Sequence, residues 1–202
     1  MNTTPIPVSE LICTRISHDL IGNIGAVSNA VELLEEGDMD FLDDIRSILK
    51  TSSQVLSSRL KFFRMAFGLN NANLEDRNLV AKTITDYLKT IGNQNFPITL
   101  ELGDYTTAYA RIVMVCAMIM ADTIIKGGKI SINESNNKLY VNVCTVSKLS
   151  EQKIDAISAL LSGQEAEYLA QNAPVFYLRE LIKTSGVHVS TSDGGTFGFI
   201  IG

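Results

Sequence analysis

The sequence predicts an α+β chain: an antiparallel helical hairpin that pairs with a second copy as a dimeric four-helix bundle, followed by a layered α/β sandwich. Three observations carry this expectation. Aliphatic residues fall at Ile12, Ile16, Leu20, Ile24, Val27, Val31 and Leu34, spaced 4, 4, 4, 3, 4 and 3, which is one stripe of a long helix close to a coiled-coil seam. A second run of the same period, Leu42, Ile45, Leu49, Ser52, Leu56, Leu60, Phe63 and Phe67, follows after a break of a few residues at Gly37 and Asp38. Beyond residue 78 the pattern changes to alternating short strand and helix signals, the mark of helices layered over one sheet.

Pro5 and Pro7 hold the amino terminus extended, and Ser9 is a fair N-cap for a helix over residues 10–36. Gly37 ends that helix, and Asp38 and Asp40 cap the next. Two helices joined by so short a turn are antiparallel neighbours, each roughly 40 Å long at about 1.5 Å per residue. A lone hairpin of this length cannot bury both stripes, so a homodimer is expected. Residues 68–78, GLNNANLEDRN, are polar, rich in Asn and without period, and read as a linker. The boundaries are therefore 1–67 for the hairpin, 68–78 for the linker and 79–202 for the α/β unit. Within that unit the sequence predicts a helix over 79–91, a strand over 97–101 and an apolar, buried helix over 109–125. Strands over 129–133 and 139–146 flank a turn at 134–137. Ser150 caps a helix whose face carries Ile154, Ile157, Leu160 and Leu161, and another helix, broken near Pro174, runs to Lys183 and stops at Ser185 and Gly186. A last hairpin, 187–190 with 196–201, turns at Asp193, Gly194 and Gly195.

Composition removes several classes of function. A net charge of −5 with no basic run argues against a nucleic-acid footprint, because nothing neutralises phosphates in series. Cys13, Cys116 and Cys144 are odd in number and lack CxxC spacing, which suits a reducing cytoplasm and small buried apolar side chains. The first ten residues do not resemble a signal peptide, and the most apolar run, 112–121, is far short of the roughly 20 residues of a membrane span. A cytoplasmic protein without membrane insertion is expected.

The candidate functional residue is His18. It lies two positions past Ile16, and at about 100° per residue it is rotated about 200° from the apolar stripe, toward solvent. Down the same face, at offsets of 4, 7 and 11, come Gly22, Gly25 and Asn29. A glycine inside a helix costs roughly 1 kcal/mol relative to alanine, so two of them below an exposed imidazole suggest room for an approaching protein. A surface histidine above tolerated glycines is the alternative. The antiparallel register places Ser57 or Ser58 level with His18, with Arg59, Lys61 and Arg64 nearby and Arg15 one turn before it. Glu35, Glu36, Asp38, Asp40, Asp43 and Asp44 gather at the turn end. The basic group reads either as a solvated mixed surface or as a collar that attracts an acidic, phosphate-bearing partner.

Motifs add a resemblance. His18-Asp19-Leu20-Ile21, then Gly25-Ala26-Val27-Ser28-Asn29 and Glu32-Leu33-Leu34-Glu35-Glu36, precede a domain that ends in Ser185-Gly186-Val187-His188-Val189 and Gly194-Gly195-Thr196-Phe197-Gly198-Phe199. Together they resemble the dimerisation and catalytic domains of a sensor histidine kinase, and more closely the alphaproteobacterial ChpT family of histidine phosphotransferases. The likeness covers nearly the whole chain, although Asn23 stands where the family usually has Pro. The resemblance implies a degenerate histidine-kinase ATPase-like (Bergerat) sandwich. Where kinases carry a metal-binding Asn this chain has Met120, next to Ala121. Where they carry Asp-x-Gly-x-Gly it has Thr145-Val146-Ser147-Lys148-Leu149, and for the second glycine-rich loop it has Asn172-Ala173-Pro174-Val175-Phe176-Tyr177. A Met cannot bind Mg2+, and side chains replace the backbone N–H cradle for phosphates, so no ATP is expected.

What the resemblance implies is a phosphorelay protein: His18 accepts a phosphoryl group from the receiver domain of a hybrid histidine kinase and passes it to response regulators, CtrA-like ones among them. The receiver would bring its own Mg2+, and this chain would bind no cofactor. Asp19 would orient the imidazole or adjust its basicity. Arg15, with Arg59 or Lys61 across the hairpin, would neutralise the phosphoryl or dock the receiver, with Gly22, Gly25 and Arg64 in the same partner-binding surface. The α/β unit would help select the receiver. His188 is expected to be structural, and Asp122 and Asp193 lie with no other ligands, so no metal site is expected. A non-enzymatic dimeric adaptor and an ATP-dependent kinase with unusual motifs are the rival readings.

Overall fold

The computed structural model describes residues 7–37, 41–69, 71–144, 148–164, 167, 169–183, 186–192 and 196–202. Two long helices, α1 (Val8–Glu35) and α2 (Leu42–Phe67), form the hairpin. Pro7 occupies the N-cap position of α1, so Ser9 sits inside the first turn instead of capping it. This suits proline, whose fixed φ starts a helix at no cost in lost N–H bonds. Gly37 closes α1 at φ +76°, a left-handed conformation that glycine adopts without a Cβ clash. Asp38 and Asp40, expected caps of α2, lie outside the described residues.

The α/β half follows as α3 (Arg77–Lys89), β1 (Ile98–Leu102), α4 (Ala110–Thr123), β2 (Gly128–Ser135), β3 (Lys138–Cys144), α5 (Glu151–Leu161), α6 (Ala173–Leu181), β4 (Val187–Ser192) and β5 (Thr196–Ile201). Asp76 accepts hydrogen bonds from the backbone N–H of Asn78 and of Leu79, so α3 starts two residues earlier than its apolar period suggests. The stretch before it contains a 3-10 turn, Ala72–Leu74, with Leu74 buried. Pro174 lies in the first turn of α6. It opens that helix where the sequence suggested a break, because the first turn needs no proline N–H. The sheet order is β1-β2-β3-β5-β4, with β1 parallel to β2 and all other pairs antiparallel. The β2–β3 turn runs through Asn136 and Asn137, both at positive φ (51° and 59°), as a two-residue hairpin turn requires.

The core is organised around α4, where Ala110, Thr123 and every residue from Ile112 to Ala121 are buried. Leu139, Val141 and Val143 of β3 and Phe197, Phe199 and Ile201 of β5 face it from the sheet. The same continuous apolar cluster takes in Leu11, Ile12 and Leu20 of α1 and Phe62, Phe63, Met65 and Ala66 of α2. Phe62 stacks on Tyr87 of α3 with ring centroids 3.9 Å apart, and Phe63 meets both edge-on. The long apolar stripe of α1 is therefore divided. Its first half is buried against the α/β half, while Ile24, Val31 and Leu34 near the turn are exposed. Leu60, placed on the α2 stripe by its spacing, is also exposed. Cys116 is buried, which pushes its thiol far above the usual range, whereas Cys13 is exposed and departs from the expectation of burial. Among the described residues no helix is long and apolar enough to cross a membrane.

Candidate functional site

α1 carries His18 outward, with 84% of its side chain exposed. One turn earlier on the same helix, Arg15 donates from Nε to Asp19 Oδ2 at 2.9 Å and from a terminal nitrogen to Asp122 Oδ1 of α4 at 2.8 Å. Its other terminal nitrogen faces the Gln171 carbonyl at 3.3 Å, just before α6. Asp19 Oδ1 lies 3.8 Å from His18 Nδ1, beyond a direct hydrogen bond and within reach of a small ring rotation. From α2, Arg59 donates to the Asp19 carbonyl and, from its other two nitrogens, to the Thr90 hydroxyl and carbonyl. Arg15 is only 12% exposed, and Asp19 and Asp122 are 17% exposed. Burial alone would disfavour the Arg15 charge, but Asp122 and Asp19 outweigh it and hold the guanidinium firmly protonated. For Asp122 burial dominates and raises its carboxyl above the usual range, although Arg15 pulls the other way.

These residues line an open cleft of about 480 Å³, completed by Lys153 of α5 and by Leu169, Ala170 and Gln171. A second cavity of about 330 Å³ shares Arg15, Asp122 and Lys153 and runs on between α4, α5 and α6. Both halves of the chain thus contribute to the surroundings of the histidine. Sequence reasoning missed Lys153, because α5 was read only for its apolar face, and missed Gln171, whose backbone carbonyl carries no sequence signal.

The basic residues expected to form a collar around His18 are disposed in different ways. Arg15 is spent on two carboxylates and is not held out toward a partner. Arg59 is committed to the Asp19 carbonyl and to Thr90. Lys61 lines a separate groove with Ser57, Ser58, Thr83 and Asp86, and neither Lys61 nor Arg64 is among the residues lining the His18 cleft. The physical reason is that a long cation near a half-buried carboxylate or carbonyl pairs inward before it pairs with solvent. Gly22 and Gly25 would meet nothing within 4 Å if given a Cβ, so no packing within the chain requires them. Gly22→Ala is expected to raise stability by about 1 kcal/mol, measured as the shift in denaturant midpoint, while slowing reaction with any partner that docks over this face. Unchanged partner kinetics would leave the glycines without a role in docking. His188 is exposed on β4 opposite Ile200 of β5, remote in sequence and element from the cleft. Asp122, expected to stand apart, is the carboxylate that Arg15 holds, and Asp193 lies outside the described residues.

At the positions that the sequence resemblance aligns with nucleotide-binding motifs, Met120 is fully buried, and Asn172 through Phe176 are buried as α6 begins. A thioether is no ligand for Mg2+, and at the second position the backbone is the packed first turn of a helix. Of the third such position, 145–149, residues 145–147 lie outside the described residues, and Leu149 is buried.

A family model for the histidine phosphotransferase C-terminal domain matches residues 80–196, more than half of the chain. The chain belongs to that family. The protein phosphotransferase ChpT of Brucella abortus (strain 2308) is 44% identical over 63 residues, which cover 31% of this chain and 29% of that relative. The match therefore spans less than a third of the relative's length. A solved bacterial phosphotransferase structure superposes over 100% of this chain and 98% of its own, with a TM-score of 0.77 and 23% identity. At that identity the likeness speaks for the fold. The expected resemblance to the ChpT family is borne out by the family model and the Brucella relative.

Proposed function

We propose that the chain is a histidine phosphotransferase of a two-component phosphorelay, with His18 as the phosphoryl carrier. The observation that carries this reading is an 84% exposed imidazole set in a cleft to which both halves contribute. A lone pair on neutral Nε2 attacks the phosphorus of an aspartyl phosphate on a receiver domain. The N–P bond forms as the P–O bond breaks, and the electron pair leaves with the receiver's carboxylate. The reverse displacement, by the aspartate of a second receiver, empties the histidine. Such transfer needs mainly alignment and charge stabilisation. Asp19 Oδ1, 3.8 Å from Nδ1, would accept from Nδ1–H after a small rotation of the ring, and Lys153, which lines the cleft, would meet the incoming phosphoryl. The receivers of a hybrid histidine kinase and of CtrA-like response regulators are the partners this reading favours, each bringing its own Mg2+.

The exposed apolar residues near the turn support a homodimeric four-helix bundle, and the misfit at Met120 and at Asn172 through Phe176 supports a degenerate Bergerat sandwich that no longer uses ATP. The reading is tested by incubating the purified protein with a phosphorylated receiver and following label. Wild type is expected to take up acid-labile, base-stable label, and His18→Ala to take up none. If wild type remains unlabelled across the receivers of the same genome, the transferase reading fails and a non-enzymatic adaptor replaces it.

A further inference from the structure

The geometry points to Arg15 and Asp122 as a strut between the two halves of the chain that positions Asp19 against the His18 ring, and so sets which ring nitrogen is the nucleophile. This deepens the phosphotransfer reading and rests on it for its functional consequence. Asp122 is the one acidic residue of α4, a helix that is otherwise almost wholly apolar and buried. A carboxylate at such a site is costly unless it is paired and hydrogen-bonded, and Arg15 supplies the pair at 2.8 Å. The same guanidinium takes Asp19 Oδ2 at 2.9 Å, and its remaining nitrogen faces the Gln171 carbonyl. All three guanidinium nitrogens are therefore engaged, two of them by the α/β half. A planar fork fixed at three points cannot turn, so the oxygen of Asp19 that it does not hold, Oδ1, stays 3.8 Å from His18 Nδ1.

A carboxylate beside Nδ1 favours the tautomer with the proton on that atom, leaving the Nε2 lone pair outward. When Nε2 bonds to phosphorus the ring gains positive charge, and the Nδ1 proton is shared with Asp19 as the receiver's carboxylate departs with the P–O electron pair. Arg15 and Asp122 touch neither phosphoryl group nor receiver in this scheme. They are positioning residues, acting through Asp19.

The test reads the histidine before any partner is present. Nitrogen-15 NMR of the ring of His18, in full-length unphosphorylated protein, is expected to report predominantly the Nδ1–H form in wild type. In Asp122→Asn, and in Arg15→Lys, which keeps the charge but lacks the fork, the population is expected to move toward Nε2–H. Phosphoryl uptake from a labelled receiver is expected to fall about ten- to a hundredfold in both, the scale of a small misplacement of a reacting group. Lys82→Met, which removes a surface ion pair with Asp86, is expected to change neither. A folded variant of either kind with the wild-type tautomer ratio overturns the strut. Should Asp122→Asn fail to fold, Arg15→Lys decides. If no receiver labels the wild type, the phosphotransfer reading falls while the tautomer measurement still judges the strut.

Discussion

Phe62→Ala is expected to lower the stability of the folded chain by about 3–5 kcal/mol, the range for removing a fully buried aromatic side chain. Phe62 is completely buried, stacks on Tyr87 and meets Phe63 edge-on. It projects from α2 onto α3, where the hairpin packs on the α/β half. No neighbouring side chain could relax into so large a void without moving a helix. Truncation therefore loosens the seam between the halves as well as the core. Denaturant unfolding followed by circular dichroism measures the effect, with a lower midpoint as the expected result. A loss under about 1 kcal/mol, typical of a surface change, would contradict the packing described for this ring.

Val31→Asp is expected to convert a dimer of twice 22.1 kDa into a monomer of 22.1 kDa. Ile24, Val31, Leu33 and Leu34 of α1 are exposed, as are Phe41 and Ile48 at the start of α2. Exposed apolar side chains grouped on one face mark an interaction site more often than scattered ones do. Ile24, Val31 and Leu34 continue the 3- and 4-residue spacing whose earlier members Ile12 and Leu20 are buried, so the face suits packing against helices. On the proposed homodimeric reading, a second hairpin supplies them about a two-fold axis. That symmetry places the introduced aspartate in the interface twice, unpaired, at a cost of several kcal/mol. Sedimentation or light scattering distinguishes the states. A monomeric wild type at micromolar concentration would remove the basis for the four-helix bundle.

The long-period features of the chain were legible without coordinates. The spacing of Ile45, Ser52 and Phe63 placed α2, and the unbroken apolar run of α4 announced a helix buried on all sides, because both signals are local and repeat many times. The strands and their order of appearance were legible for the same reason. End effects were less so. Ser9 is a better N-cap by composition than Pro7, yet the chain begins its helix from the proline. Pro174 reads as a break or a start according to residues on either side of it. The His18 surroundings were legible on α1, where helical rotation alone turns the ring outward. They were not legible across the fold. Arg15 and Asp122 are separated by 107 positions, and nothing in their local sequence says that one neutralises the other. Charge counted along a helix does not reveal which cations already have partners within the chain, as Arg15 and Arg59 do.

One exposed imidazole in one cleft has a consequence for traffic. On the proposed reading, donor and acceptor receivers are related domains that must use the same address, since the aspartate of each has to reach the same nitrogen. The two cannot be seated on one protomer together. The carrier must discharge its first visitor before it admits the second, so turnover follows a double-displacement rhythm in which the phosphorylated chain is the waiting state. An abundant unphosphorylated acceptor would then occupy the empty histidine and delay reloading, and the relative amounts of the two receivers, more than any property of the cleft, would set the flux.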